Sequence, residues 1–173
     1  MTHLNIEVKA RCSEPEFVRT YLSSNQAEFR GTDHQTDTYF NVQNCRLKLR
    51  EGNIENSLIY YERNDEAGAK ESNFQLMPLK EAHVLKDILT ITLGIKMIVT
   101  KKREIYFIGN VKFHIDEIFG LGNFVEIEAS NFYENVSKEE LQRQCNFYMK
   151  EFRIKTEDLI PISYSDMLLA MQA

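Results

Sequence analysis

The sequence of 173 residues has no tryptophan and little cysteine, proline or glycine, with 3, 3 and 7 residues of each. Cys12, Cys45 and Cys145 form no C-x-x-C pair, which argues against a disulfide framework and against a thiolate zinc site. The scarcity of glycine and proline excludes a collagen-like or linker-rich chain. No apolar run approaches the roughly 20 residues of a membrane span, and the first residues lack the basic start of a signal peptide. We therefore expect a single cytoplasmic domain over residues 1–173, without a membrane partner.

The sequence also has fewer basic than acidic residues, with 21 Lys and Arg against 26 Asp and Glu, which gives a net charge of −5. Duplex nucleic acid is bound by net basic faces, so we expect no nucleic-acid partner. An anionic ligand would have to be held in a local site, because the overall field of the protein does not attract it.

Strand-like segments outnumber helical ones and follow one another along the chain. Alternating residues predict strands over 4–11, 36–42, 46–51, 57–63, 73–77, 95–108, 111–118 and 124–129. Helical spacing predicts helices of about ten residues from Pro15, over 81–93, from Ser137 to about Lys150, and over 165–171. Consecutive strands joined by short connections favour antiparallel neighbours, so the predicted fold class is α+β.

Local signals mark several element ends. Ser13 and Ser137 each precede a glutamate by three residues, which is the spacing of a capping box at a helix start. Gly94 lies where a left-handed residue would end a helix, and Gly109-Asn110 suits a tight hairpin. Residues 64–70 form the most loop-like part of the chain.

Cationic residues recur with the period of a strand. Arg46, Lys48 and Arg50 lie at i, i+2 and i+4, so they project from one face over roughly 13 Å, enough to contact several phosphoryl groups. Two further pairs repeat this spacing: Lys9 with Arg11, and Lys101 with Arg103. Arginine offers a planar fork and lysine a compact charge, and both suit phosphate.

Acidic residues are grouped in the same way. Glu126 and Glu128 share one strand face, and His114 and Asp116 share another. Glu7 shares its face with the basic pair of the first strand. Such a carboxylate set suits a hard divalent cation, which prefers oxygen ligands.

These charged faces cannot line a dry core, because each unpaired ion would cost several kcal/mol of desolvation. Three arrangements remain: a barrel whose interior is a hydrated charged tunnel with helices on its apolar side, an open sheet with one solvated face, or an interaction surface for an acidic partner. A basic stripe and a set of carboxylates in one cavity are typical of sites that carry out metal-assisted phosphoryl or nucleotidyl transfer.

An ordered set of motifs runs along nearly the whole chain. They are Asn5-Ile6-Glu7-Val8-Lys9-Ala10-Arg11, Asp37-Thr38-Tyr39-Phe40, Arg46-Leu47-Lys48-Leu49-Arg50-Glu51, Lys101-Lys102-Arg103, His114-Ile115-Asp116-Glu117, Phe124-Val125-Glu126-Ile127-Glu128 and Ser163-Tyr164-Ser165-Asp166. In this order they resemble the CYTH or triphosphate tunnel metalloenzyme family, which includes class IV adenylate cyclases, thiamine triphosphatases and inorganic tripolyphosphatases. The resemblance implies an eight-stranded antiparallel β-barrel with helices packed on the outside, and a charged tunnel that holds a triphosphate with Mg²⁺ or Mn²⁺.

The resemblance also implies roles for individual residues. The implied metal ligands are Glu7, Asp116, Glu126 and Glu128, with His114 as a further candidate. The implied phosphate-binding residues are Lys9, Arg11, Arg46, Lys48, Arg50, Lys101 and Arg103. The implied catalytic residues are Lys9, Arg103 and Glu126.

The chain departs from the family pattern at Asn5, where the Glu-x-Glu-x-Lys signature begins with a carboxylate. An amide oxygen is a neutral and weaker ligand, which weakens the case for a second metal ion and for tight binding of the first. In the strand over 57–63 the register stays open, since Tyr60 with Glu62 and Tyr61 with Arg63 are both suitable inward pairs.

We therefore expect a divalent-metal-dependent enzyme that acts on a small triphosphate such as ATP, thiamine triphosphate or tripolyphosphate. It would either convert ATP to cyclic AMP and pyrophosphate, as a lyase, or hydrolyse a triphosphate. Two alternatives stay open: a non-catalytic nucleotide- or polyphosphate-binding barrel, which Asn5 favours, and an adaptor that uses the basic stripe on a solvated sheet. Small barrels of this family commonly pair, so the resemblance also implies a homodimer.

Overall fold

Eight strands and four helices make up the computed structural model of the chain, which describes residues 3–63, 67–132 and 134–172. The strands are β1 His3–Arg11, β2 Glu28–Phe40, β3 Arg46–Glu51, β4 Ser57–Arg63, β5 Lys70–Pro78, β6 Ile95–Ile108, β7 Val111–Ile118 and β8 Gly122–Ser130. The helices are α1 Pro15–Ser24, α2 His83–Leu93, α3 Lys138–Glu151 and α4 Tyr164–Gln172, with a short 3₁₀ turn at Thr156–Asp158.

All eight strands belong to one closed antiparallel barrel. Around the barrel the order is β1-β5-β4-β3-β2-β6-β7-β8, and β8 pairs with β1 to close the ring. Closure gives every strand an inner and an outer face. The predicted α+β barrel with external helices is confirmed, and the open solvated sheet is excluded.

The outer faces of β1, β7 and β8 form the main hydrophobic core together with α1 and α3. Ile6, Val8 and Ala10 alternate along β1 and are almost completely buried. The helices contribute Val18 and Leu22 from α1 and Leu141 and Cys145 from α3. Because successive strand residues point to opposite faces, Asn5, Glu7 and Lys9 of β1 point into the barrel.

Helix α4 covers one end of the barrel. Tyr164 and Met167 of this helix pack in one buried cluster with Tyr39, Ile118 and Phe124. Tyr39 and Ile118 lie at the ends of β2 and β7, and Phe124 lies near the start of the antiparallel β8, so the three residues mark the same end of the barrel. The interior is therefore closed by apolar packing at the α4 end.

Strand β2 is longer than the sequence predicts, because it begins at Glu28 rather than at residue 36. Its first half lacks an apolar face, since Asp33 and Gln35 are polar residues that are nevertheless buried. The backbone of this half pairs with β6, starting from Glu28 opposite Phe107. Backbone hydrogen bonds to β6 therefore stabilise this half of β2 as a strand, although its sequence has no alternation of apolar residues that would predict one.

The predicted helix boundaries are only partly correct. Helix α1 begins at Pro15 with Glu14 as N-cap and without a side-chain cap bond, so the capping box predicted at Ser13 is wrong. Ser137 does cap α3, because its Oγ accepts a hydrogen bond from the Glu140 backbone N–H at 3.3 Å. Gly94 ends α2 with a φ of 73°, as the sequence predicts.

The predicted loop over 64–70 includes residues 64–66, which lie outside the described residues. Strand β5 begins at Lys70, three residues before the predicted start at 73. In the described part of the chain, no helix is long and apolar enough to cross a membrane.

An ion pair on the barrel exterior anchors α1 to β6. Arg19 binds both carboxylate oxygens of Glu104, with Nε to Oε2 at 2.9 Å and Nη2 to Oε1 at 2.7 Å. The Tyr106 hydroxyl donates to the same carboxylate at 2.9 Å. Partial burial disfavours the ionised carboxyl, but Arg19 and Tyr106 outweigh it and lower the pKa of Glu104.

Replacing Glu104→Gln should therefore destabilise the protein in a pH-dependent way. Because the pKa of Glu104 is lower folded than unfolded, its stabilisation is complete above the unfolded value of about 4.3 and is lost as pH falls through the folded value. At pH 7 we expect the variant to lose about 1–2 kcal/mol of unfolding free energy, measured by urea titration. The difference from the wild type should shrink steadily below about pH 4.3.

Glu16→Gln is the matched control, because Glu16 also pairs with Arg19 but its side chain is 82% exposed. Exposed pairs contribute little, so this variant should be close to wild type. A pH-independent loss in Glu104→Gln would contradict the ion-pair explanation.

Candidate active site

The barrel encloses a cavity of about 400 Å³, a size typical of small-ligand pockets. Opposite α4, the lining residues Ile54, Leu76 and Phe132 are 42%, 38% and 41% exposed. At the α4 end, the lining residues Ser163 and Tyr164 are only 2% and 3% exposed. The cavity therefore opens at the end that carries the β3–β4 turn, and we call this opening the mouth.

Charged side chains from five strands and one turn converge in this cavity. The cations in the lining are Lys9, Lys48, Arg50, Lys101, Arg103 and Lys112. The carboxylates in the lining are Glu7, Glu55, Glu126 and Glu128. The charged strand faces thus share one interior, as the tunnel interpretation predicts.

Asp37 is the buried centre of the first ionic cluster. Arg50 donates to both of its oxygens, at 2.8 and 2.9 Å, and Lys101 donates to Oδ2 at 2.6 Å. Lys48 also donates to Oδ2, at 3.2 Å. Burial disfavours the charged form of Asp37, but Arg50, Lys101 and Lys48 outweigh it and hold its pKa well below the ordinary range. One carboxylate therefore sets the positions of three cations from β3 and β6.

A second cluster is built around Arg103. Its guanidinium pairs with both oxygens of Asp116, at 2.7 and 2.5 Å, and its Nη2 also donates to Glu126 at 2.8 Å. The Tyr164 hydroxyl donates to Asp116 at 2.9 Å. Asp116 is 1% exposed and lies behind Arg103, so its contacts orient the guanidinium toward Glu126.

Glu126 joins this cluster to the remaining functional groups. Lys9 Nζ lies 3.2 Å from Oε1, and His114 Nδ1 lies 3.1 Å from Oε2. Lys9 also lies over the ring of Tyr164, 4.0 Å from its centroid. Burial disfavours ionisation of Glu126, but Arg103 and Lys9 outweigh it and hold its pKa well below the ordinary range.

His114, Glu126 and Glu128 form a group whose ligand atoms all lie within 4.8 Å of one another. Burial lowers the pKa of His114, and the neighbouring Arg103 lowers it further, so the imidazole is neutral at pH 7. Its Nε2 is buried and has no hydrogen-bond partner among the described residues. Two carboxylates and a neutral imidazole fit a divalent cation, and the oxygen donors suit Mg²⁺ or Mn²⁺.

Glu7 and Asn5 lie beside this group on β1. Glu7 is opposite Glu128 in the β1–β8 register, and Asn5 is opposite Ser130. The Asn5 side-chain oxygen is buried and, within the described ranges, accepts no hydrogen bond. The amide that replaces the family's first carboxylate thus faces the same region as the acidic group.

The two remaining basic residues of the sequence prediction lie at strand ends next to α4. Arg11 is exposed, and its guanidinium lies 5.4 Å from the Phe124 ring centroid. Arg46 pairs with Asp166 of α4 at 3.3 Å. Neither belongs to the described cavity lining.

One sector of the wall is apolar. It consists of Ile59 and Tyr61 on β4 with Phe74 and Leu76 on β5, which are neighbours in the barrel. Leu76 lies at the mouth, so the apolar sector extends to the opening of the cavity. The charged lining residues lie on other strands and in the β3–β4 turn. The buried Lys70 of β5 donates to the Pro161 carbonyl at 2.8 Å and is not part of the lining.

The inward position of Tyr61 decides the register that the sequence leaves open. Tyr61 lines the cavity and is 8% exposed, whereas Tyr60 donates to Glu62 on the outside of the barrel. The side chain of Arg63 lies outside the described part of the structure.

Comparison with known proteins agrees with this architecture. The CYTH domain matches residues 3–164. The chain belongs to the CYTH domain family. No match is found among curated proteins.

Three solved structures illustrate how widely this CYTH fold is shared. The PH1012 protein of Pyrococcus horikoshii has a TM-score of 0.80 and 23% identity, covering 94% of this chain and 98% of its own. A candidate adenylate cyclase of Vibrio parahaemolyticus has a TM-score of 0.78 and 16% identity, covering 96% and 98%. An adenylyl cyclase candidate of Hippeastrum, described as having a dominant triphosphatase activity, has a TM-score of 0.62 and 13% identity, covering 98% and 95%.

Several residues of this CYTH site carry no role in the sequence prediction. Asp37 stands in a quoted motif, but nothing in a single sequence shows that one carboxylate serves three cations. Lys112 lies two residues before His114 on the same strand face, so the alternation could have identified it. Glu55 lies in a turn and Tyr164 begins a helix, and neither has a periodic signal.

The Asp37→Asn variant should lose stability, because it leaves Lys48, Arg50 and Lys101 buried without their shared counter-charge. Removing one partner of a buried ion pair typically costs about 3–5 kcal/mol of unfolding free energy. We expect a loss of this size in urea titration. Tripolyphosphate should raise the melting temperature of the variant more than that of the wild type, because an anion can replace the missing charge.

Asp87→Asn on the exposed surface of α2 is the control and should change neither quantity. An Asp37→Asn variant with wild-type stability would show that the three cations do not depend on Asp37.

Proposed function

We propose that this CYTH domain protein is a divalent-metal-dependent enzyme that acts on a triphosphate-containing small molecule. The observation that carries the proposal is the convergence of six cations with Glu126 and Glu128 in one cavity, where His114 lies directly beside Glu126. A phosphate chain and a cation could both be held there within reach of Glu126.

The cations of the lining would bind and align the phosphate chain. Lys48, Arg50 and Lys101 are held by Asp37 on one side, and Lys9 and Arg103 are held by Glu126 on the other. Fixed donors of this kind lower the barrier by positioning and by stabilising developing negative charge. Lys9 and Arg103 are proposed to contact the reacting phosphoryl group, since both adjoin Glu126. Arg11 and Arg46 are left out of this set.

His114, Glu126 and Glu128 would hold the divalent cation, with Glu7 beside them. Bound there, the ion supplies positive charge that polarises a phosphoryl oxygen. Asp116 is proposed to orient Arg103 rather than to bind the ion, because both of its oxygens pair with that guanidinium.

The charge balance of the cavity supports co-binding of a cation. With the buried Lys70, the six cations of the lining become seven, and the buried Asp33, Asp37 and Asp116 bring the four lining carboxylates to seven as well. A triphosphate would add several negative charges to a balanced interior. A divalent cation that binds with it reduces this excess, so affinity for the triphosphate should rise with metal concentration.

Within this proposal, the apolar sector favours a triphosphate with an organic group, because Ile59, Phe74 and Leu76 would have no role opposite a bare phosphate chain.

The proposal includes two reactions: attack by water on the terminal phosphorus, or attack by a substrate hydroxyl on the α-phosphorus. A non-catalytic binder is the second candidate, since Asn5 removes one carboxylate from the acidic side.

Product analysis distinguishes these possibilities. The purified protein is incubated with Mg²⁺ or Mn²⁺ and, separately, with ATP, thiamine triphosphate and tripolyphosphate. Cyclic nucleotide with pyrophosphate would identify a cyclase, and orthophosphate a hydrolase. Thermal stabilisation without turnover would identify a binder, and activity that survives a chelator would contradict metal dependence.

Glu126→Gln should abolish metal-dependent turnover, by about a hundredfold or more, because it removes a charged ligand and the partner of Lys9 and Arg103. It should also abolish the rise in melting temperature with Mn²⁺ alone. Glu117→Gln, an exposed position on the outer face of β7, is the control and should retain both. Wild-type turnover in Glu126→Gln would remove Glu126 from the mechanism.

A further inference from the structure

The β3–β4 turn places a carboxylate inside the cavity near its mouth. Glu55 lies in this turn, between the end of β3 at Glu51 and the start of β4 at Ser57. Its side chain is 26% exposed and belongs to the cavity lining. A negative charge thus stands among the cations that would receive a phosphate chain.

Glu55 spans the interior from one side of the barrel to the other. Its Oε2 accepts from Arg50 on β3 at 3.0 Å and from Gln35 on β2 at 3.1 Å, while Oε1 accepts from Lys112 on β7. Strands β2 and β6 separate β3 from β7 in the barrel. Burial disfavours its ionised form, but Lys112 and Arg50 outweigh it and keep the pKa of Glu55 far below its ordinary value. The carboxylate is therefore an anion at physiological pH.

The turn holds Glu55 rigidly. The backbone N–H groups of Ile54 and Glu55 both donate to the buried carboxylate of Asp33, each at 2.9 Å. A Cβ at Gly52 would lie 2.6 Å from Asp33 Oδ1, so only glycine allows this close approach. The Asn56 side chain bonds the Gly52 backbone twice, at 3.1 and 2.8 Å. These contacts hold the backbone of Glu55 in a defined position in the cavity wall.

Two different surfaces therefore flank the mouth. One of them is the carboxylate of Glu55. The other is the apolar sector, whose residue Leu76 is partly exposed to solvent at the mouth. The opposite end is sealed by α4, so a phosphate chain that fills the inner cations can extend only toward the mouth. A further phosphate there would meet Glu55, and two like charges about 4 Å apart repel by several kcal/mol near a protein surface. An uncharged organic group would instead pack on the apolar sector.

We propose that Glu55 is a specificity-determining residue that limits the phosphate chain to about three phosphates and selects substrates whose chain ends in an uncharged organic group. The inference rests on the proposed function, because it concerns the same cavity. It names organic triphosphates, rather than longer linear polyphosphates, as the substrate class.

The test compares binding of tripolyphosphate, tetrapolyphosphate and longer linear polyphosphate by calorimetry in the presence of Mg²⁺. The wild type should bind tripolyphosphate more tightly than either longer chain. Glu55→Gln, which keeps the shape and removes the charge, should reduce this preference about tenfold or more. Affinity for every chain will rise when Arg50 and Lys112 are released, so the readout is the ratio between chain lengths.

Glu51→Gln is the matched control. Glu51 ends the same strand but pairs with Lys86 at 2.6 Å and lies outside the cavity lining. Its chain-length preference should equal that of the wild type. If Glu55→Gln does not fold, Glu55→Ser provides a second neutral variant with the same expected result.

The outcomes separate this inference from the proposed function. A wild type that binds tetrapolyphosphate as tightly as tripolyphosphate, or an equal gain for all chain lengths in Glu55→Gln, would overturn the role of Glu55 and leave triphosphate binding intact. A wild type that binds no triphosphate with Mg²⁺ or Mn²⁺ would remove the proposed function and this inference together.

Discussion

Ionic compensation inside a closed barrel is the constraint on which the rest of the structure depends. The inner faces of the strands hold lysines, arginines and carboxylates at positions where an unpaired ion would cost several kcal/mol. Asp37 and Glu126 each serve more than one cation, so the charges are arranged as two clusters. The strands cannot slip past one another without separating these partners, because a shift of one residue would turn every charged side chain outward.

The same compensation explains how a protein with a net charge of −5 can present a cationic site. The outer surface carries the acidic excess, whereas the interior is close to balance once the buried Lys70, Asp33, Asp37 and Asp116 are included. A balanced interior does not attract anions from a distance. It provides donors of fixed geometry, and it favours ligands that bring a cation with them.

Much of the fold follows from residues that obey a simple period. In β1, Ile6, Val8 and Ala10 alternate with charged or amide residues, and the structure buries the first set under helices and turns the second inward. The rule fails in β2, where the half before residue 36 has polar residues on both faces, because its inner face looks into a polar cavity and its backbone is paired by β6. The separate prediction of a capping box at Ser13 fails because α1 begins at Pro15, which makes Glu14 rather than Ser13 the N-cap.

The sequence by itself determined which residues share a strand face, and hence that cations and carboxylates come in groups, because side chains alternate along any strand. It also carried the ordered motifs of the CYTH domain. Only the tertiary structure decided that Tyr61 rather than Tyr60 points inward, that Asp37 serves three cations, and that Glu55 stands near the mouth. Those facts depend on pairing and closure between segments far apart in the chain, and no local period records such contacts.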